Sequence, residues 1–484
     1  MKTIEEIGEV TYTHKYMFSL KMMTAVTTLI IVIMGGLYAF LGLPPGLDTN
    51  YEILFFHSIA IGIAALASYL VISVFQLQKY EPPLDFPMAY RAFGAVIFAA
   101  VGGIFFLNPT LYAALPDIPL GLLIVAFILI GDVGGALFIQ LLILPRKRAQ
   151  TYIANVPISH YVLRMVPTRK EFHLYTEAGA SYWLALFSVG SAFVAGLMGF
   201  VNLWVMIFGP GVFSFFIPMF GDVPTFLGAW TGSHSHEIGV AIMTGMVALA
   251  AQHFKVLDLK GLKRQIALVG LLITSIGIIA ISIVLVLEAI IAFVPPTLFA
   301  SGPNGVNGMA GDDTVMTITA VGAMIAFVPL ALTKLEGKSS WRDSVRFAFL
   351  ATWVAAVVNS VIEGFYIEFH EDIFGSTLSA NHAVFSDVNP MFGIITLGAF
   401  AAVLLAVDYY APAGQQRRMV GWVAVLGLVV AVIGSSMYVF VDPSVGGLSS
   451  WVYIIGVLII GVSALIGAGA IYKTKITRAP RLEK

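Results

Sequence analysis

The side chains in this sequence able to bind a metal or move a proton are few, and they gather. There is no cysteine, so disulfides, thiolate metal sites, iron–sulfur clusters and thiol nucleophiles are excluded together. Ligation falls to His, Met, Tyr or carboxylate. The densest group is Gly232-Ser233-His234-Ser235-His236-Glu237. Two residues apart, His234 and His236 do not share one face of a regular helix. At most one is expected to point into a helix bundle, and His236 is the favoured ligand. The bland alternative is a serine-capped helix start with both imidazoles at an interface. His57 sits in an apolar stretch, Leu54-Phe55-Phe56-His57-Ser58-Ile59, where an unpaired imidazole is costly. It is read either as a ligand or as one end of a helix-to-helix hydrogen bond. Glu363, Glu368, His370, Glu371 and Asp372 form an acidic run that binds a divalent cation or merely solvates a helix end. His382 and Asp387 follow. Asp132, Glu288 and Asn359 are isolated polar points within apolar segments, and His253 reads as interfacial.

The elements that must position these groups are membrane spans. Of 484 residues, 59% are hydrophobic and only 11% are charged. A soluble chain carries roughly 25% charged residues, so most of this surface must face lipid. Apolar runs near 19–43, 51–77, 88–112, 117–144, 180–209, 235–256, 265–294, 313–333, 344–367, 388–411, 419–441 and 450–472 predict an all-α integral membrane protein of about twelve helices in one bundle. Every cluster of Lys and Arg follows an even-numbered span, as with Arg146, Lys147 and Arg148 or Arg417 and Arg418. The alternate loops carry neither residue. The expected topology places both termini in the cytoplasm of a multi-pass cell-membrane protein. A basic cytoplasmic connection covers 145–179, within a single domain over 1–484. No repeat is visible, no cleaved signal peptide is expected, and no basic block suggests nucleic acid.

With that topology, His57, His234, His236, His370 and His382, five of the nine histidines, fall on the outer side. Neutral imidazole is a ligand for haem iron, copper and zinc, and nearby carboxylates can orient it or shuttle protons.

In this arrangement the chain resembles the haem-copper oxidase subunit I superfamily, which includes the nitric oxide reductases. Tyr51-Glu52-Ile53-Leu54-Phe55-Phe56-His57 resembles that family's second-helix approach to its low-spin haem histidine. Leu84-Asp85-Phe86-Pro87-Met88-Ala89-Tyr90-Arg91 is similar to the turn before its third helix, and His234-Ser235-His236-Glu237 to its His-Pro-Glu start of helix six. The resemblance implies twelve helices, with outer-half redox centres held by histidines on helices two, six, seven and ten. His382 lies on the leading histidine of the tenth-helix segment, but Pro390 and Phe392 stand where two haem ligands should follow. Span seven lacks the paired histidines. These departures speak against an oxygen-reducing centre.

Three functions follow. The first is a respiratory-type redox subunit keeping a b-type haem, or a copper or another divalent cation, and working with other membrane or outer-face redox subunits. Its expected cofactor ligands are His57, His236 and His234; His382, Glu363, Glu368 and His370 are expected metal ligands. The second is a proton- or cation-coupled transporter. The third is a scaffold subunit with no cofactor.

Overall fold

The computed structural model describes residues 19–41, 49–75, 77, 87–149, 177–215, 217, 222–256, 259–291, 309–331, 334–335, 338–339, 344–364, 366, 397–411, 414–442 and 447–473. It is built from helices α1 (Leu20–Leu41), α2 (Thr49–Val74), α3 (Met88–Phe106), α4 (Asp117–Ala149), α5 (Glu177–Phe208), α6 (Val223–Phe254), α7 (Leu262–Ile291), α8 (Met309–Ala331), α9 (Ser344–Val357), α10 (Gly398–Tyr410), α11 (Gln415–Phe440) and α12 (Leu448–Lys473). A short helix (Pro109–Ala114) links α3 to α4, and α9 runs on into a π-helical turn, Val358–Gly364. Lys334–Leu335 and Lys338–Ser339 pair as a two-residue antiparallel ladder.

Among the described residues nine helices are long and apolar enough to cross a membrane, and α8, α9 and α10 contribute shorter apolar stretches. The exposed side chains confirm the solvent these helices are made for. Ile104, Ile128, Leu197, Ile276, Leu426 and Val462 stand outward and exposed, uncovered by any described helix. In water such a surface is unstable; in hydrocarbon it is neutral. The described residues are overwhelmingly helical, those of a multi-pass membrane protein.

Helices α2, α6 and α10 pack against one another at the centre. Around them α1, α3, α4, α5, α7, α8, α9, α11 and α12 form a closed ring, each packed against the next and the last against the first. One helix in every four thus turns inward. Burial agrees: 72% of the apolar stretch of α2 and 72% of that of α6 are buried, against 22% for α4. All of α10 from Gly398 to Asp408 is buried. The absence of a sequence repeat therefore hides a topological period of four helices.

Small residues let the ring close. Gly434 of α11 lies against the backbone of Tyr453, and Gly456 of α12 against that of Ala431. Gly270 and Gly322 do the same for α7 and α8. In lipid, where apolar burial no longer favours association, such close backbone approach is a main source of helix–helix attraction.

Candidate functional site

Two polar clusters occupy the two ends of the central trio. His57, His234 and Glu237 lie in the N-terminal halves of α2 and α6; Ser73, His253 and Asp408 lie at the C-terminal ends of α2, α6 and α10. The three helices therefore run parallel. At 1.5 Å per residue the clusters are separated by roughly 24–28 Å of helix. Leu66, Leu70, Met246, Ala250, Leu404 and Leu405, all buried, fill the space between.

At the first end the rings of His57 and His234 face each other nearly parallel, with centroids 5.9 Å apart and an interplanar angle of 8°. Phe127 of α4 sets its edge on His57 at 5.3 Å. His234 is buried, and its Nδ1 lies 2.6 Å from the carbonyl oxygen of Ala195 on α5. A carbonyl only accepts, so Nδ1 carries the hydrogen and donates it. Neutral His234 then keeps the lone pair on Nε2, the usual arrangement of a metal-ligating imidazole. Gly199 makes that bond possible. In a helix a side chain covers the turn on its N-terminal side, so a residue at 199 would cover the Ala195 carbonyl. A Cβ placed on Gly199 falls on the His234 ring itself.

One turn along the same face of α6, Glu237 is fully buried. Its Oε1 accepts from Ser191 Oγ at 2.8 Å, and Ser191 is in turn 2.8 Å from Ser282 of α7. Glu237 Oε2 is buried with no hydrogen-bond partner among the described residues. Ser191, Ala195 and Gly199, four residues apart on α5, thus make a stripe that receives His234 and Glu237 from α6.

The sequence expectation of a serine-capped start near His234 is corrected here. Helix α6 begins at Val223, three turns earlier, so neither Ser233 nor Ser235 caps it. Among the described side chains of this stretch the buried imidazole is His234; His236 was the favoured ligand. The side chain of His236 lies outside the described residues, as do Glu288, Glu368, His370 and His382.

Glu363, for which a cation site and a solvated helix end were the two expectations, is fully buried in the π-helical turn, which corrects the second. Its Oε1 accepts from Ser435 at 2.8 Å and Ser436 at 2.7 Å, and its Oε2 from Asn359 Nδ2 at 3.2 Å. Asn359 is therefore no isolated polar point. Three neutral donors from α11 and its own turn satisfy this carboxyl, which joins α9 to α11.

The other end of the trio holds a cluster that sequence reasoning did not anticipate. Asp408 of α10, 1% exposed at its side chain, accepts from Arg417 and from His253 Nε2 at 2.6 Å, with Arg346 Nε at 3.4 Å. Arg417 also donates to the backbone carbonyls of Asp408 and Ala411, closing the C-terminus of α10. Arg346 stacks over Phe254, 5.0 Å from the ring centroid. Tyr409 donates to the Ser73 carbonyl at 3.1 Å, and Tyr410 meets the Ser73 hydroxyl. His253 is thus tied to a carboxylate rather than merely interfacial. Asp132 also departs from expectation: its side chain is 50% exposed and paired with Arg91 of α3, not buried and alone.

No family model matches this chain, and no curated protein or solved structure is similar to it. The geometry of the two clusters must carry the functional reading.

Proposed function

We propose that the protein is a membrane-bound electron-transfer subunit in which His57 and His234 together hold a b-type haem. The observation that carries this reading is the pair of imidazoles presented to each other by two central helices. Their centroids lie 5.9 Å apart, close enough for both rings to reach one metal when their nitrogens turn toward it. The donor set fits as well. His57 and His234, as neutral imidazoles, would be the two side chains holding the haem iron.

A haem so held supplies one-electron exchange at its iron. The chain supplies the rest. Ala195 fixes the tautomer of His234, Gly199 leaves room for the ring, and Phe127 braces His57. The resemblance noted above to the haem-copper oxidase superfamily implied histidines on helices two, six, seven and ten; helices two, six and ten are the ones that meet at the centre here. Pro390 and Phe392, and a seventh span without paired histidines, favour electron transfer or quinol oxidation over reduction of oxygen or nitric oxide. Counting α8, α9 and α10 as spans gives twelve, which returns both termini to one side. The basic loops make that side the cytoplasm, and the histidine pair then lies in the outer half of the cell membrane. Redox subunits on the outer face or in the bilayer would be its electron partners.

Alanine variants test the assignment. His57→Ala and His234→Ala should each purify with less than a tenth of the wild-type haem, while His253→Ala, at the far end of α6, keeps it. Full haem in both outer variants would refute the ligand assignment.

A second reading, a proton-coupled transporter, draws on Glu237, whose Oε2 is buried without a partner among the described residues. It predicts solute flux driven by a pH gradient in vesicles, abolished by Glu237→Gln, from protein lacking haem.

A further inference from the structure

Asp132 stands near the middle of the Asp117–Leu144 apolar stretch of α4, and beyond it Leu137, Ile139, Leu141 and Leu144 continue the run. A charged side chain open to hydrocarbon is costly, and such groups are ordinarily turned into the bundle or toward a partner. Asp132 is turned outward. Ile118, Gly121, Val125, Ile128, Asp132 and Ile139, spaced three, four or seven residues apart, are all exposed along one face. That face belongs to the least buried of the nine long apolar helices. The remaining sides of α4 are occupied: Gly134 and Gly135 seat Phe193 of α5, Phe138 lies on Gly190, and Leu129 meets Gly94 of α3.

We infer that a second copy of this chain packs on the open face of α4, forming a two-fold dimer in which two Arg91–Asp132 pairs make one ring of alternating charges. Depth favours a second copy. Two copies inserted in the same sense are related by an axis along the membrane normal, so their ion pairs meet at one level without further adjustment. A helix from another protein would need its own charges at that depth. Sign favours it too. Because the pair carries both charges, the patch is self-complementary: Arg91 faces the partner's Asp132, and Asp132 the partner's Arg91. Gly121, with open space where its side chain would be, lets the two α4 helices approach closely.

The cysteine-free chain makes the test clean. Val125→Cys and Ile128→Cys each introduce the sole thiol, and mild oxidation of intact membranes should give a disulfide-linked species of twice the chain mass. Its yield should exceed at least tenfold that of Ile433→Cys, which places a thiol on the exposed face of α11. Asp132→Asn in the Ile128→Cys background should lower the yield several-fold while leaving expression unchanged. A yield no greater than that of the α11 control overturns the dimer. So does a product containing a different polypeptide, and so does a yield that Asp132→Asn does not change. Haem content plays no part in this readout, so the dimer and the electron-transfer reading fail separately.

Discussion

A glycine that touches no substrate governs the histidine site. Gly199 exposes the Ala195 carbonyl, that carbonyl holds the Nδ1 hydrogen of His234, and Nε2 thereby keeps the lone pair that the proposed haem would take. Gly199→Ala should accordingly cut haem retention at least tenfold in protein that still folds, although residue 199 is no ligand. Haem assayed per mole of purified variant checks this. At the opposite end Asp408 answers two guanidinium groups and an imidazole. Asp408→Ala leaves the two guanidinium groups facing one another and the imidazole without its acceptor, and breaking a buried pair this way costs about 3–5 kcal/mol. The unfolding midpoint should fall while the haem spectrum stays unchanged, because the two clusters lie at opposite ends of the trio. His57 was legible as a candidate because an imidazole among Leu and Phe is anomalous on its face. Asp408 was not: a carboxylate at the end of an apolar run, close to Arg417 and Arg418, reads as an ordinary wetted helix end. Only the packing of α6, α9 and α11 around it reveals otherwise.

At the scale of elements, the spans were legible wherever an apolar run was unbroken, as in α2, α4, α11 and α12. The reading failed where a buried helix carries glycine, serine and histidine. Gly228, Gly232 and Ser233 look like a loop, yet α6 runs through them because its polar groups are received by the stripe on α5. Tertiary contact overrode local composition. The glycine seams give a direct check on what joins helices here. Gly434→Ala and Gly456→Ala press a methyl group into a facing backbone and should each cost about 1–3 kcal/mol. Gly196→Ala on α5 meets open space and should stabilise by about 0.5–1 kcal/mol, the helix-propensity difference alone. Thermal unfolding of the three variants in one detergent compares them. Equal effects would mean that the seams are not close-packed.

The described helices form a ring of nine closed around three. Sequence could mark apolar runs and place charge on alternate loops, but it could not say that the second, sixth and tenth helices are neighbours, because contacts between them span far more chain than any local pattern. That adjacency turns two distant histidines into one site. Orientation is the remaining expectation at this scale. Thr3→Cys and Lys475→Cys should react with a membrane-impermeant maleimide only in inside-out vesicles, whereas a thiol in the loop between α11 and α12 should react only in right-side-out ones. Labelling of the two termini from opposite sides would break the even-span topology.

The claim on which the function turns is that His57 and His234 hold a haem between them. Its most direct test is the dithionite-reduced minus oxidised optical spectrum of the purified wild-type protein, with iron and copper quantified in the same sample. A Soret shift with sharp reduced-state bands, at one iron per chain, is the predicted result. A featureless spectrum from folded protein containing neither metal would contradict the electron-transfer reading.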